Sequence, residues 1–188
     1  MAKPAIITIT GLPGSGKSST AKRVAEILAY KHFSSGDLFR KIAADRGLSV
    51  SALNLTAEEQ REIDYEVDRL LQNMAKTERD IVIDSRLAFH WMPNSFKVFL
   101  KIDPETSAER TFSHIQSEGR VSEAGSSLEE VKKDIETRVQ SERKRYRTLY
   151  DVDYTDESRF DLVVDTAKHP LLTVADIIVE KYRAWRGA

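Results

Sequence analysis

Apolar positions along this chain gather into five short runs: Ala5 to Thr10, His32 to Ser34, Ile81 to Ser85, Lys97 to Ile102 and Asp161 to Asp165. The segments IITIT, IVID and KVFLKI within them are rich in β-branched or aromatic residues, as strands covered on both faces require. Stretches with helical spacing separate the runs. Strands alternating with helices predict an α/β fold in which a parallel sheet is sandwiched between helical layers. Ligands of such sheets lie beyond the carboxyl ends of the strands, so the residues just after each run are the candidates for chemistry.

The helical stretches carry start signals. Thr56 to Glu59 reads as a capping box before the apolar stripe Ile63, Val67, Leu70, Leu71 and Met74. Ser127 to Glu130 reads as another before a long charged helix, and Asp103 with Pro104 suits an N-cap and first helical position. Gly119 to Ser127 has no periodicity and reads as a mobile loop. No repeat, low-complexity tract or linker divides the chain, so residues 1–188 read as one domain.

Composition narrows the partners. A chain of 188 residues buries a substantial core without disulfides or a structural metal. Cysteine is absent, which removes thiolate metal sites and cysteine catalysis. The net charge of −1 supplies no global attraction to nucleic acid or an anionic membrane, so neither is expected as a partner and any basic site is local. No apolar run reaches the length of a membrane helix and no cleavable leader precedes the first strand, so a cytoplasmic location is expected. The sequence does not give the oligomeric state, and a monomer is compatible with it.

The most specific signal is GLPGSGKS, Gly11 to Ser18, which follows the first run and opens a helix. Gly11, Gly14 and Gly16 let the backbone turn tightly and aim successive N–H groups at phosphate oxygens, with Leu12, Pro13 and Ser15 completing the loop. Lys17 adds a mobile cation for the β and γ phosphates of a bound nucleotide. Ser18 puts a hydroxyl where magnesium bridging those phosphates would sit, and the helix that carries Ser18 and Ser19 adds its positive N-terminal dipole. The bland alternative is a glycine-rich turn between a strand and a helix.

Three further segments fall at strand ends: Ser34 to Arg40 (SSGDLFR), Asp84 to Arg86 (DSR) and Asp165 to Lys168 (DTAK). Asp84 ends a buried run, where phosphate-loop enzymes hold a carboxylate for magnesium; Asp37 is a companion in that role or simply begins the next helix. Arg40 and Arg86 suit bidentate grip on a second phosphate, against the commoner fate of a surface ion pair. In the helix spanning Arg138 to Arg147, residues Arg138, Ser141, Glu142 and Arg145 share one side, while Ile135, Val139, Tyr146 and Tyr150 make an apolar stripe. Arg138 and Arg145 are thereby candidates to face a negative transition state, and Arg143 and Arg147 point elsewhere. Asp64 and Asp68 lie on the shoulder of the stripe Ile63, Val67 and Leu71; they could accept from an exocyclic amine of a base, but spacing alone favours a solvated face. His32, His90, His114 and His169 show no ligand spacing and read as structural, as do Trp91, Trp185 and the tyrosines.

Taken in order, GLPGSGKS, SSGDLFR, DSR and the arginine-bearing helix resemble the nucleoside monophosphate kinase family over nearly the whole chain. EIDYEVDRLL, SRLA, RVQSERKRY and DLVVDTAK are most similar to the short, archaeal-type cytidylate kinases. The resemblance implies a three-layer α/β/α sandwich on a five-stranded parallel sheet. It implies a helical insert over about residues 36–76 that binds the nucleoside monophosphate, and a lid and arginine helix over about 110–146. It implies ATP as donor, magnesium organised by Ser18, Asp37 and Asp84, and an acceptor phosphate held by Arg40 and Arg86 beside Ser35. Arg110, Arg120, Arg138 and Arg145 become candidate lid or transition-state arginines, Thr166 and Lys168 border the donor adenine, and Asp64, Asp68 and Arg69 border the acceptor base. One departure stands out: after SRLA the family usually continues with glycine and tryptophan, whereas this chain has Phe89, His90, Trp91 and Met92.

The expected activity is therefore ATP- and Mg-dependent phosphoryl transfer to CMP or dCMP. AMP, UMP or another small anionic acceptor of the shikimate kind is the alternative within kinases. A nucleotide-dependent switch is the alternative from another class, although no guanine-reading NKxD tetrapeptide is present.

Overall fold

Five parallel strands form the centre of the protein, and a computed structural model describes residues 4–59, 62–118 and 127–187 around them. In chain order the elements are β1 (Ile6–Gly11), α1 (Lys17–Leu28), β2 (Lys31–Ser34), α2 (Ser35–Asp45), α3 (Val50–Glu59), α4 (Glu62–Thr77) and β3 (Ile81–Asp84). They continue with α5 (Ala88–Trp91), β4 (Phe96–Lys101), α6 (Pro104–Glu118), α7 (Leu128–Tyr150), a 3-10 turn at Glu157–Arg159, β5 (Leu162–Asp165) and α8 (Leu171–Arg186). The sheet order is β2-β3-β1-β4-β5. Each of the five expected strands is present, with boundaries moved by a residue or so.

Strand direction and register bring the carboxyl ends together. Ser34 pairs in register with Asp84, Ile9 with Asp84, Gly11 with Leu100 and Lys101 with Asp165. The chain leaves β1 toward β2 and β3 on one side and reaches β4 and β5 on the other, so the edge beside β1 is where a crevice opens.

Alternation along β1 divides the core. Ile7 and Ile9 face one helical layer, packing with Val24 of α1 and Val174, Ile178 and Tyr182 of α8. Ile6 faces the other, with Leu71, Ile83, Ala88 and Met92. On that second face Tyr146 of α7 packs with Leu87, Phe89, Val152 and Tyr154. A small separate core of Ala43, Leu53, Ala57 and Ile63 joins α2, α3 and α4 into a helical insert between β2 and β3. No helix among the described residues is long and apolar enough to cross a membrane.

The helix signals fare unevenly. The Ser127 hydroxyl caps α7 by accepting from Glu130 N at 3.2 Å, and Asp103 caps α6 by accepting from Thr106 N at 2.9 Å. Thr56 is not a cap: it lies inside α3 and its hydroxyl donates back to the Ala52 carbonyl at 2.9 Å, so the helix boundary it was expected to mark falls elsewhere. Residues 119–126, including Arg120 and most of the expected loop, lie outside the described residues.

Candidate active site

A cleft of about 1040 Å³ runs along the carboxyl edge of the sheet, between the phosphate loop, α2, α4, α6 and α7. Pro13, Gly14, Gly16, Lys17, Ser18 and Ser19 of the phosphate loop line it. Gly14 and Gly16 have φ of 69° and 76°, a left-handed conformation that glycine adopts without strain. A Cβ on Gly14 would stand 2.6 Å from the Ser107 carbonyl, and one on Gly11 would stand 2.5 Å from that of Leu100, so both positions need a hydrogen there. The loop is braced from inside and outside: the Ser15 hydroxyl donates to the Leu12 carbonyl at 2.8 Å, and the Ser107 hydroxyl of α6 donates to the Pro13 carbonyl at 2.8 Å. Lys17 Nζ donates to the Leu12 carbonyl at 2.9 Å. Burial, then the neighbouring Arg86, lowers the Lys17 pKa well below the ordinary lysine value.

Asp84, 2% exposed at the end of β3, gathers three donors. Ser18 and Ser34 hydroxyls each donate to Oδ1 at 3.0 Å, and His32 Nε2 is hydrogen-bonded to Oδ2 at 2.8 Å. His32 therefore does more than pack: it lines the cleft and supports the carboxylate that sequence spacing left it unconnected to. Register explains the contact, since β2 and β3 lie side by side and both end at this edge. Serine hydroxyl and carboxylate next to the phosphate loop are hard oxygen donors, the chemistry magnesium favours when phosphates complete its shell.

The same cleft carries guanidiniums close to Lys17. Arg86, just past β3, and Arg138 of α7 both line the cleft, and both donate through Nε to Glu142, at 2.8 Å and 3.0 Å to its two oxygens. Tyr154 donates its hydroxyl to the same carboxylate at 3.0 Å. Burial alone would raise the Glu142 pKa, but Arg86 and Arg138 outweigh it and hold the carboxyl far below its ordinary range. Burial likewise works against the Arg86 charge, and Glu142 reverses that effect. Arg40 lines the cleft from α2, paired with Asp37 in the same first turns; Ser35 lines it beside them. Arg110 of α6 also reaches the cleft while donating to the Thr166 carbonyl at 2.8 Å.

Other expected residues sit differently. Asp64 and Asp68 are not solvated: they are 5% and 4% exposed and face the cleft from α4. Asp64 accepts from Arg145 Nε at 2.9 Å, and Asp68 accepts from Trp91 Nε1 at 2.9 Å and from the Tyr150 hydroxyl. Burial raises the pKa of both, with these partners offsetting part of the rise. The solvated expectation failed because α7 packs over the shoulder of the stripe and brings its own donors. Arg145 is thereby held 4% exposed against Asp64 and is not among the residues lining the cleft. Arg143 and Arg147 point away as expected, both donating to Asp153 at 2.8 Å. Arg69 is exposed, Thr166 is buried behind Arg110, and Lys168 pairs with Asp165 at 3.0 Å; neither Thr166 nor Lys168 lines the cleft.

A phosphate loop, a cluster of guanidiniums beside its lysine and buried carboxylates on a helical insert, all in one cleft, describe a P-loop kinase with an anionic acceptor. Known proteins carry this further. The AAA domain family model matches residues 10–132. The cytidylate kinase of Halobacterium salinarum is 36% identical over 185 residues, 97% of this chain and 91% of its own. That of Natronomonas pharaonis is 39% identical over 166 residues, covering 87% and 81%. A shikimate kinase structure from Bacteroides thetaiotaomicron matches 98% of this chain and 99% of its own with a TM-score of 0.63; at 15% identity it speaks for the fold alone. This chain belongs to the cytidylate kinase family, one branch of the nucleoside monophosphate kinases.

Proposed function

We propose that this protein transfers the terminal phosphoryl group of ATP to CMP or dCMP, acting on small nucleotides in the cytoplasm. The observation that carries the reading is the junction of Lys17, Arg86 and Arg138 in one cleft, with two buried carboxylates beyond them on the insert. The triphosphate lies in Gly11 to Ser18. The acceptor phosphate is held between Arg40 and Arg86, and the insert over about 36–76 encloses its nucleoside. Asp64 and Asp68 face the base, where a carboxylate accepts from the exocyclic amine of cytosine and repels the oxo group that uracil carries in its place. Adenine also presents an amine, so base size contributes to the choice.

Transfer runs in line through a loose transition state whose charge is spread over oxygens, so positioning and positive charge matter more than a strong base. Lys17, Arg138 and Arg110 supply that charge. Ser18 and Asp84 suit a magnesium ion, which when bound neutralises charge on the outer phosphates. Asp37 is spoken for by Arg40, which favours a role in aiming that guanidinium over one on the metal.

The test is ADP formation from ATP with CMP, dCMP, UMP, AMP or GMP, beside ATP alone. CMP and dCMP should accelerate it most. No acceleration by any of them defeats the reading, and a preference for UMP or AMP defeats the cytidine assignment alone. Asp68→Asn should narrow the preference for CMP over UMP.

A further inference from the structure

Glu142 is a carboxylate 3% exposed in a cleft built for polyphosphates, where its charge repels every substrate. A fold that needed only packing at this point would be served by an apolar side chain of similar volume, often with a gain in stability. Its contacts show what the charge does. Arg86 comes from the end of β3 and Arg138 from one turn earlier on α7, and Glu142 takes each by the inner Nε, at 2.8 Å and 3.0 Å. Tyr154 fixes the carboxylate from behind at 3.0 Å. Among the described residues the terminal nitrogens of both guanidiniums have no hydrogen-bond partner, and both side chains line the cleft, 12% and 17% exposed.

We propose that Glu142 is a positioning residue for the transfer reaction: it grips Arg86 and Arg138 from the Nε side and so presents the outer nitrogens of one to the acceptor phosphate and of the other to the phosphoryl group in flight. The proposal rests on the transfer reading above. Two half-buried guanidiniums beside Lys17 repel one another when no phosphate is bound, and without an anion behind them they would rotate toward water. Glu142 removes that repulsion on the side away from the substrates. The arginines then meet the phosphates already oriented, and the reorganisation that would otherwise accompany binding is absent. Because one carboxylate holds both, occupation of the acceptor site and placement of the transition-state arginine are tied to the same side chain.

The test is Glu142→Gln, which keeps the shape and removes the charge. Calorimetric binding of CMP should weaken about tenfold, in line with loss of a charge-assisted hydrogen bond network. kcat should fall about a hundredfold, the scale of misplacing a reacting group, while ATP binding changes by less than about twofold. Two double variants separate positioning from a structural role. Added to Arg86→Ala, Glu142→Gln should weaken CMP binding no further; added to Arg138→Ala, it should cost far less in kcat than alone. Full additivity in both, or a folded Glu142→Gln protein with CMP binding and kcat within about threefold of wild type, overturns the proposal. If Glu142→Gln does not fold, Glu142→Asp keeps the charge but withdraws it by a methylene; a folded Asp variant should lose CMP affinity and kcat, and unchanged values overturn the role. A wild-type protein that does not phosphorylate CMP defeats the functional reading instead, whatever the variants do.

Discussion

Arg145 and Asp64 form an ion pair removed from water, with Nε donating to Oδ2 at 2.9 Å, Nη2 to Oδ1 at 3.4 Å, and side chains only 3% and 6% exposed. The pair joins α7 to α4 across 81 positions of sequence. The Ser141 hydroxyl, one turn back on α7, accepts from Nη1 at 3.0 Å. Burial is tolerated here because the charges are matched in geometry as well as sign.

Arg145→Ala should therefore act first on stability. It leaves the Asp64 carboxylate buried and unpaired, a loss of about 3–5 kcal/mol in urea unfolding. Replacing both residues with apolar side chains of similar volume should cost much less. A single-variant loss below about 1 kcal/mol would mean the pair is open to water in solution.

Lys17→Met should separate activity from stability in the opposite direction. Burial and the nearby Arg86 depress the Lys17 pKa, so the free protein holds a charge it would be steadier without. Thermal unfolding without nucleotide should occur at the same temperature or higher, while transfer falls at least about a hundredfold. The same depressed pKa places the alkaline decline of kcat/KM for ATP below the ordinary lysine value of about 10.4, because the charged form is lost sooner as pH rises. A midpoint at or above that value would contradict the electrostatics of the loop.

Gly14→Ala tests the brace between the loop and α6. Its left-handed φ of 69° and the 2.6 Å approach to the Ser107 carbonyl mean the added methyl must push the two apart. Loss of about 1–3 kcal/mol is expected from the backbone alone, together with weaker ATP binding by calorimetry. ATP binding equal to wild type would show that the loop tolerates displacement from Ser107.

Glu142 also gives a pH signature. Its folded pKa is held far below the ordinary carboxyl value by Arg86 and Arg138 against the opposing effect of burial. Its stabilisation is then complete above the unfolded value of about 4.3 and is lost as pH falls below that toward the folded one. The gap in unfolding temperature between wild type and Glu142→Gln should be widest near neutrality and shrink on acidification. A gap that widens in acid would reverse the sign and dismiss the assignment.

The strands and the phosphate loop were legible because their signals are local: buried β-branched runs, and a loop whose glycines, lysine and serine sit at fixed spacing. The helix signals were legible where a cap stands alone, as at Ser127 and Asp103, and misleading where a hydroxyl has a second local partner, as Thr56 has in Ala52. The site was legible only in part. Arg86, Arg138 and Asp84 follow from strand ends and helix faces, whereas the burial of Asp64 and Asp68 depends on α7 arriving from 81 or 82 residues away. His32 reads as structural in the sequence because its partner lies on the neighbouring strand, 52 positions on. Glu142 was visible on the same side of the helix as Arg138 and Arg145; the absent signal was the long-range contact with Arg86.

One helix, α7, carries Arg145 and Tyr150, which donate to Asp64 and Asp68, and also Arg138 and Glu142. On the proposed reading, acceptor choice and reaction rate are consequently not separable modules in this fold. On that same reading, a substitution on α4 that admits another base disturbs the seat of α7, and with it Arg138 in the cleft. A descendant of this chain that changed its acceptor would have to repack both helices in concert.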